Sequence, residues 1–341
     1  MTKTFHKPDV CCNPDCLNDT AFSRKTERKS LSGFMITCTA ILVISLLFFK
    51  YSQAENFSEN SLSVVQEKEN RFRCIFEGIK HNFLLYLPAE SAGAPLVIML
   101  PGYGNTAESF QSTIHFEQEA NALGYAVVYV TGARNPNDPL SSIGWNSGIG
   151  SDGNDDAAFL VSLVKYLQKE YSFDRQRTFA AGFSNGAFMI HRLAMEATNT
   201  FSAYVSVAGM MPAKIWNERR EKSNVSFFQI TGEKDDVIPK RSDGSAEYSK
   251  NPAIEDVMTY WTGSNGLSLC ESEIQGNGSL LTKCRSEASP NQVWHLLVKN
   301  GRHSWPEEKI IGIDANSLIL EFFENISPVR TDEQANHYTN H

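Results

Sequence analysis

Gly182, Phe183, Ser184, Asn185 and Gly186 form a G-x-S-x-G pattern at the end of an apolar, β-prone run over 178–183. A serine on a very tight strand-to-helix turn stands clear of its sheet, and glycines two before and two after let the backbone pass without Cβ clashes. Ser184 is therefore the candidate nucleophile, and it needs a base and a carboxylate. The chain supplies both downstream. The run 225–231 leads into Gly232 and a polar turn with Asp235 and Asp236 before Pro239, and the run 292–298 leads into a turn with Gly301, His303 and Pro306. In such a set the serine Oγ attacks an acyl carbon, the imidazole takes and returns the proton, and the carboxylate fixes the imidazole tautomer. The chemistry requires no metal and no cofactor. His303 is preferred to His295, inside an alternating apolar run, and to His191, inside the helix after the serine, because it alone occupies a glycine-flanked turn after the last strand. Asp155 and Asp156 precede the serine and read as carboxylates capping a helix N-terminus.

Those turns need a sheet to hold them. Apolar runs at 96–100, 126–130, 178–183, 203–207, 227–231 and 293–298 read as strands, and helical periodicity appears near 108–123, 155–171, 185–197, 254–265 and 315–325. Alternation of this kind gives an α/β, doubly wound, mostly parallel sheet, here with 71–76 and 81–87 as a leading antiparallel hairpin. Serine, acid and histidine in that chain order, each beyond the C-terminal end of a strand, is the order of the α/β-hydrolase fold. In that fold one oxyanion donor is the N–H of the residue after the serine, Asn185. The other comes from the loop after the first core strand, where Tyr103 is the candidate. Trp145 and Trp305 sit in polar loops rich in glycine or proline and are expected as cleft walls. Residues 201–225 hold no insertion long enough for a lid, so an open cleft is expected.

The rest of the chain bounds the setting. Its 341 residues are 41% hydrophobic, enough for one large core, and the segment 71–325 has the length of a single α/β domain. The net charge of −8 argues against a nucleic-acid partner, which demands a basic face. Residues 1–32 read as a basic tail containing Arg24, Lys25, Arg28 and Lys29, and 33–54 as an apolar segment ending in the small-residue pattern Ser52, Gln53, Ala54. We read that segment as a cleaved export signal. Retention as a membrane anchor, which would be the only membrane contact, is the open alternative. Residues 55–70 read as a polar linker and 326–341 as a disordered tail. Seven cysteines are present, three of them beyond the apolar segment. An oxidising compartment favours a disulfide between Cys270 and Cys284 across a short polar loop, leaving Cys74 buried in the edge hairpin.

From about Phe72 to Phe323 the chain resembles the secreted esterases grouped with polyhydroxybutyrate depolymerases, which include feruloyl and acetylxylan esterases. Five segments carry the resemblance: the strand and oxyanion loop over 95–104, Gly144-Trp145-Asn146 with Asn154-Asp155-Asp156, the serine turn, the acid loop over 232–239, and Gly301, His303, Trp305 and Pro306. Its spacing to Pro239 selects Asp235 over Asp236. The resemblance implies a serine esterase acting on short hydroxyalkanoate oligomers or on small aryl or acetyl esters. A peptidase or acyltransferase uses the same groups, and a non-catalytic binding module can keep the same scaffold. Such a module usually loses a member of the triad, and this chain has lost none.

Overall fold

A computed structural model describes residues 62–138, 140–149, 153–241 and 250–326. The basic tail, the apolar segment with its cleavage pattern and the tail after Ile326 lie outside the described residues. The centre of the fold is a set of six strands, β4 (Leu96–Leu100), β5 (Ala126–Val130), β8 (Thr178–Phe183), β9 (Ala203–Val207), β10 (Ser226–Gly232) and β13 (Ser289–Val298), of which the first five are rich in apolar residues and buried almost throughout and β13 is so only in its second half. Strands buried on both faces need such runs, because neither side meets water. Neighbours within this set run parallel, in the order β5, β4, β8, β9, β10, β13.

The two-residue period of a strand distributes its side chains between two cores. Leu96, Ile98 and Leu100 join one core, with Phe159, Leu163, Ile190, Phe227 and Trp261. Val97 and Met99 join the other, with Phe110, Tyr129, Phe179, Phe322 and Phe323. Helices α3 (Asp156–Glu170), α4 (Asn185–Glu196) and α6 (Ile254–Ser264) cover the first face, and α1 (Ala107–Ile114), α2 (Phe116–Ala122) and α8 (Ala315–Ile326) the second. Two short helices, α5 (Ala213–Asn217) and α7 (Glu308–Ile311), lie in connections. The fold is α/β and doubly wound.

Both edges are antiparallel. On the leading side β3 (Ile79–Tyr86) pairs with β5, β2 (Arg71–Phe76) with β3, and β1 (Leu62–Gln66) with β2. The expected linker over 55–70 is thus corrected in part: Leu62 and Val64 reach the core from an edge strand. On the trailing side β12 (Ser279–Ser286) and β11 (Leu269–Gln275) extend the sheet beyond β13. Cys270 and Cys284 face each other in that ladder and form a disulfide. Their connection is a hairpin and not the expected polar loop. Cys74 is a buried free thiol, and burial pushes its pKa up to about 12. The helix expected over 108–123 divides at His115, whose φ of 46° ends α1. A separate two-stranded ribbon pairs β6 (Ala133–Arg134) with β7 (Ile143–Gly144) near the C-terminal ends of the central strands.

Candidate active site

Ser184 follows the last residue of β8 and takes φ 53° and ψ −116°. A non-glycine residue in such a conformation costs about 1–3 kcal/mol and is kept only where its surroundings impose it. Here the surroundings are backbone: Ser184 N–H donates to Val207 O at 3.0 Å. A Cβ on Gly182 would lie 2.5 Å from Gly186 O, and one on Gly186 would lie 2.2 Å from Leu100 O. The glycine spacing of the motif is therefore a requirement of close approach between β4, β8 and α4.

The acid and histidine loops leave adjacent parallel strands, β10 and β13. Lys234 N–H donates to Gly301 O at 2.7 Å, and Asn300 N–H to Glu233 Oε2 at 2.9 Å, so the two loops are tied before either side chain is considered. Asp235 Oδ1 accepts from Val237 and Ile238 N–H at 2.9 and 2.8 Å. Its Oδ2 lies 2.9 Å from His303 Nδ1, and His303 Nε2 lies 2.9 Å from Ser184 Oγ. A carboxylate accepting at Nδ1 places the imidazole proton there and leaves the Nε2 lone pair aimed at the serine hydroxyl. The Asp235 side chain is 1% exposed, whereas Asp236 is 72% exposed and pairs with Arg302 at 3.9 Å. Register at this loop thus separates one buried carboxylate from one solvated one.

The two rival histidines of the sequence lie elsewhere. His191 is buried on α4 against Phe227, and desolvation pushes its pKa down to about 3. His295 sits 3.3 Å from Thr231 Oγ1, and burial lowers its pKa to about 4.

Beside Ser184 opens a cleft of about 370 Å³ whose lining includes Tyr103, Trp145, Asn146, Asn185, Phe188 and Ile238. Tyr103 is 56% exposed at this cleft. Its backbone N–H and that of Asn185 at the start of α4 are the candidate oxyanion donors, and among the described residues neither donates a hydrogen bond. Trp145 lines the cleft although it is only 6% exposed, because its Nε1–H is turned inward to Pro101 O at 3.0 Å. Trp305 does not line the cleft, which corrects its expected role as a wall. It is 5% exposed, donates Nε1–H to Asn316 Oδ1 at 2.9 Å and packs edge-on against Phe110 at 5.6 Å. The C-terminal helix offers a polar partner inside the core, so the indole turns that way.

Asp155 caps α3 by accepting from Ala158 N–H at 3.2 Å, as expected. Asp156 does not act as a cap. Its Oδ2 accepts from Asn146 N–H at 2.6 Å, and desolvation raises its pKa to about 6. Sequence reasoning missed this contact, and also the walls Phe188 and Ile238. The Trp-Asn and Asp-Asp pairs were the only signal for the contact, with no spacing rule to join them.

Residues 81–230 match the family model described as esterase PHB depolymerase. The chain is 26% identical over 243 residues to the "Putative esterase NocK" of Nocardia uniformis subsp. tsuyamanensis, covering 64% of this chain and 67% of that protein. It is 26% identical over 141 residues to acetylxylan esterase A of Emericella nidulans, covering 40% of this chain and 44% of that protein, so it spans under half of the latter's length. Acetyl xylan esterase from Aspergillus awamori superposes with a TM-score of 0.54 at 15% identity over 78% of this chain and 99% of that one, a likeness of fold.

Proposed function

We propose that this chain, which belongs to the PHB-depolymerase family of esterases and has the α/β-hydrolase fold, hydrolyses carboxylic esters through a covalent acyl-enzyme on Ser184. The observation that carries the proposal is the continuous relay of two 2.9 Å contacts from Asp235 through His303 to Ser184 Oγ. Ser184 Oγ attacks the acyl carbon while its proton passes to His303 Nε2. The negative charge on the former carbonyl oxygen is met by the N–H groups of Tyr103 and Asn185. Collapse expels the alcohol, which takes the proton from His303, and the acyl group remains on Ser184. Water then attacks the acyl-enzyme by the same route, with His303 again as base, and releases the acid.

The cleft favours small or slender esters. Its volume lies within the range of small-ligand sites, and its walls combine aromatic and aliphatic groups, Trp145, Phe188 and Ile238, with the amides of Asn146 and Asn185. Short hydroxyalkanoate oligomers and small aryl or acetyl esters are the proposed substrates. The Cys270–Cys284 disulfide supports an oxidising, extracytoplasmic setting. Among the described residues no helix is long and apolar enough to cross a membrane.

The test is Ser184→Ala together with a serine-directed phosphonate, using a panel of p-nitrophenyl, hydroxycinnamoyl and 3-hydroxybutyrate esters. Ester turnover is expected to fall by about 10⁶-fold in the mutant with the fold intact, and the phosphonate to label Ser184 alone in the wild type. Full activity in the mutant, or label on another residue, overturns the assignment.

A further inference from the structure

Residues 142–146 are bonded to both loops that supply the oxyanion donors. Ser142 N–H donates to Tyr103 Oη at 2.6 Å, and Gly104 N–H donates to Ile143 O at 2.8 Å. Trp145 Nε1–H donates to Pro101 O at 3.0 Å, while its backbone N–H donates to Asn185 Oδ1 at 2.7 Å. Between them Gly144 leaves no spare volume: a Cβ there would stand 2.8 Å from Tyr103 Cδ2 and 3.0 Å from Asn185 Oδ1. The far end is anchored as well, since Asn146 N–H donates to Asp156 Oδ2 at 2.6 Å and Arg192 Nη1 donates to Asn146 O at 2.6 Å. None of these bonds goes to Ser184, Asp235 or His303.

Tyr103 and Asn185 lie on different loops, one after β4 and one at the start of α4. An oxyanion hole works only when both donors stand about 2.7–3.1 Å from the same oxygen, and a misplacement of about 1 Å costs about 10²-fold in rate. Adjacent strands set the distance between the loops only coarsely. We infer that residues 142–146 form a strut that fixes the separation of the two oxyanion donors, with Trp145 and Asp156 as positioning residues. Trp145 ties the strut to each loop, one through its ring N–H and one through its backbone, and Asp156 holds its outer end. The other Asp156 oxygen, Oδ1, is buried with no hydrogen-bond partner among the described residues. Leaving one oxygen of a buried carboxylate unpaired is unfavourable, which is consistent with a group kept for where it holds its neighbour.

The inference rests on the proposed acyl-enzyme mechanism, and its test separates the two. Trp145→Phe in the full chain keeps the ring and removes the indole donor. Asp156→Ala removes the anchor, and Asp156→Asn keeps an oxygen that accepts from Asn146 N–H. A separate portion of each protein is titrated with a serine-directed phosphonate, so that kcat on p-nitrophenyl acetate, measured on unlabelled protein, is expressed per reactive Ser184. Affinity is measured for a trifluoromethyl ketone, which adds to the serine and places an oxyanion in the hole, and for an uncharged alcohol that competes in the ground state. For Trp145→Phe and Asp156→Ala the expected result is a kcat about 10-fold lower, KM within about 2-fold, ketone affinity reduced by the same factor as kcat and alcohol affinity unchanged. Asp156→Asn is expected to recover to within about 3-fold of wild type. Unchanged kcat per labelled serine, or parallel losses in KM and in both affinities, overturns the strut and leaves the acyl-enzyme standing. Failure of the phosphonate to label Ser184 in the wild type overturns the mechanism and the strut with it. If Asp156→Ala does not fold, Trp145→Phe decides alone.

Discussion

The loop that carries His303 and the segment over 142–146 each hold a tryptophan, and they use it in opposite directions. Trp305 turns away from the cleft, with its ring N–H on Asn316 of the C-terminal helix and its edge against Phe110. Trp145 stays on the cleft and ties itself to Pro101 and Asn185. Both lie in loops of similar composition, so composition does not set the direction of an aromatic side chain. What sets it is where the indole N–H finds an acceptor. The histidine loop is therefore a mount for the proposed base, backed by the core, whereas the Trp145 segment shapes the space around Ser184.

The sharpest way to break this comparison is to remove reacting groups from the mount. His303→Ala is expected to lower kcat by about 10⁶-fold without loss of fold, because the serine loses its base. Asp235→Asn is expected to cost about 10⁴-fold by favouring the wrong imidazole tautomer. Asp236→Asn should stay within about 2-fold, since that carboxylate faces solvent. Steady-state kinetics on p-nitrophenyl acetate, with circular dichroism for the fold, measure all three. Equal losses from Asp235→Asn and Asp236→Asn would show that the buried geometry does not govern the acid's role.

Next in size is Trp305→Ala. Emptying the space of a core tryptophan costs about 3–5 kcal/mol, equivalent here to a fall in Tm on the order of 10 °C. With Trp305 in the core, the ratio of aromatic to acetate ester turnover should not move. A selective rise in KM for aromatic esters would return Trp305 to the cleft and erase the contrast with Trp145.

Much of this arrangement was legible in the sequence. Five central strands and the second half of β13 are mostly apolar and buried, and the glycines flanking Ser184 report a close approach that Cβ atoms would forbid. What stayed hidden had weak or contrary local signals. Strand β1 is mostly exposed and is followed by Glu67, Lys68 and Glu69, which read as linker. Strand β11 is solvated on both faces, so Glu271, Ser272 and Glu273 show no apolar alternation. The break at His115 depends on a positive φ, an uncommon conformation for a non-glycine residue. Asp156 reaches Asn146 across ten positions of chain, and no helix rule predicts a first-turn carboxylate bonded away from its own helix.

A smaller effect comes from the opposite titration of groups near the two regions. His191 on the helix after Ser184 and His295 in β13 have their pKa values lowered by burial from 6.5 to about 3 and about 4, and His81 is also lowered to about 4. The unfolded chain binds more protons than the fold between those values. Their contribution is therefore complete above pH 6.5 and is lost as pH falls toward 4. Asp156 works in the other direction. With its pKa raised from 3.8 to about 6, its contribution is present below 3.8 and lost as pH rises through 6. Thermal melts from pH 8 to pH 4 should show a net decline toward acid, and Asp156→Asn should steepen it. A shallower decline in that variant would contradict the burial assigned to the strut's anchor.

The smallest effect on catalysis should come from the trailing edge of the sheet, which belongs to neither region. The Cys270–Cys284 bridge spans 14 positions, and a closed loop of that size contributes at most about 3 kcal/mol. Among the described residues strand β11 pairs only with β12 and is almost all exposed, so releasing the bridge mainly loosens an edge, although Cys284 itself is buried at the margin of the first core. Buried Cys74, with its thiol pushed up to about 12, is a poor thiolate source for exchange with the freed cysteines. The double variant Cys270→Ser, Cys284→Ser should therefore melt somewhat earlier while keeping kcat/KM within about 2-fold. Such an outcome is expected because β13 reaches the histidine loop through its parallel pairing with β10, and that pairing does not involve the hairpin. A large fall in kcat would instead mean that the edge hairpin sets the position of His303, and the histidine loop would no longer count as a mount backed by the core alone.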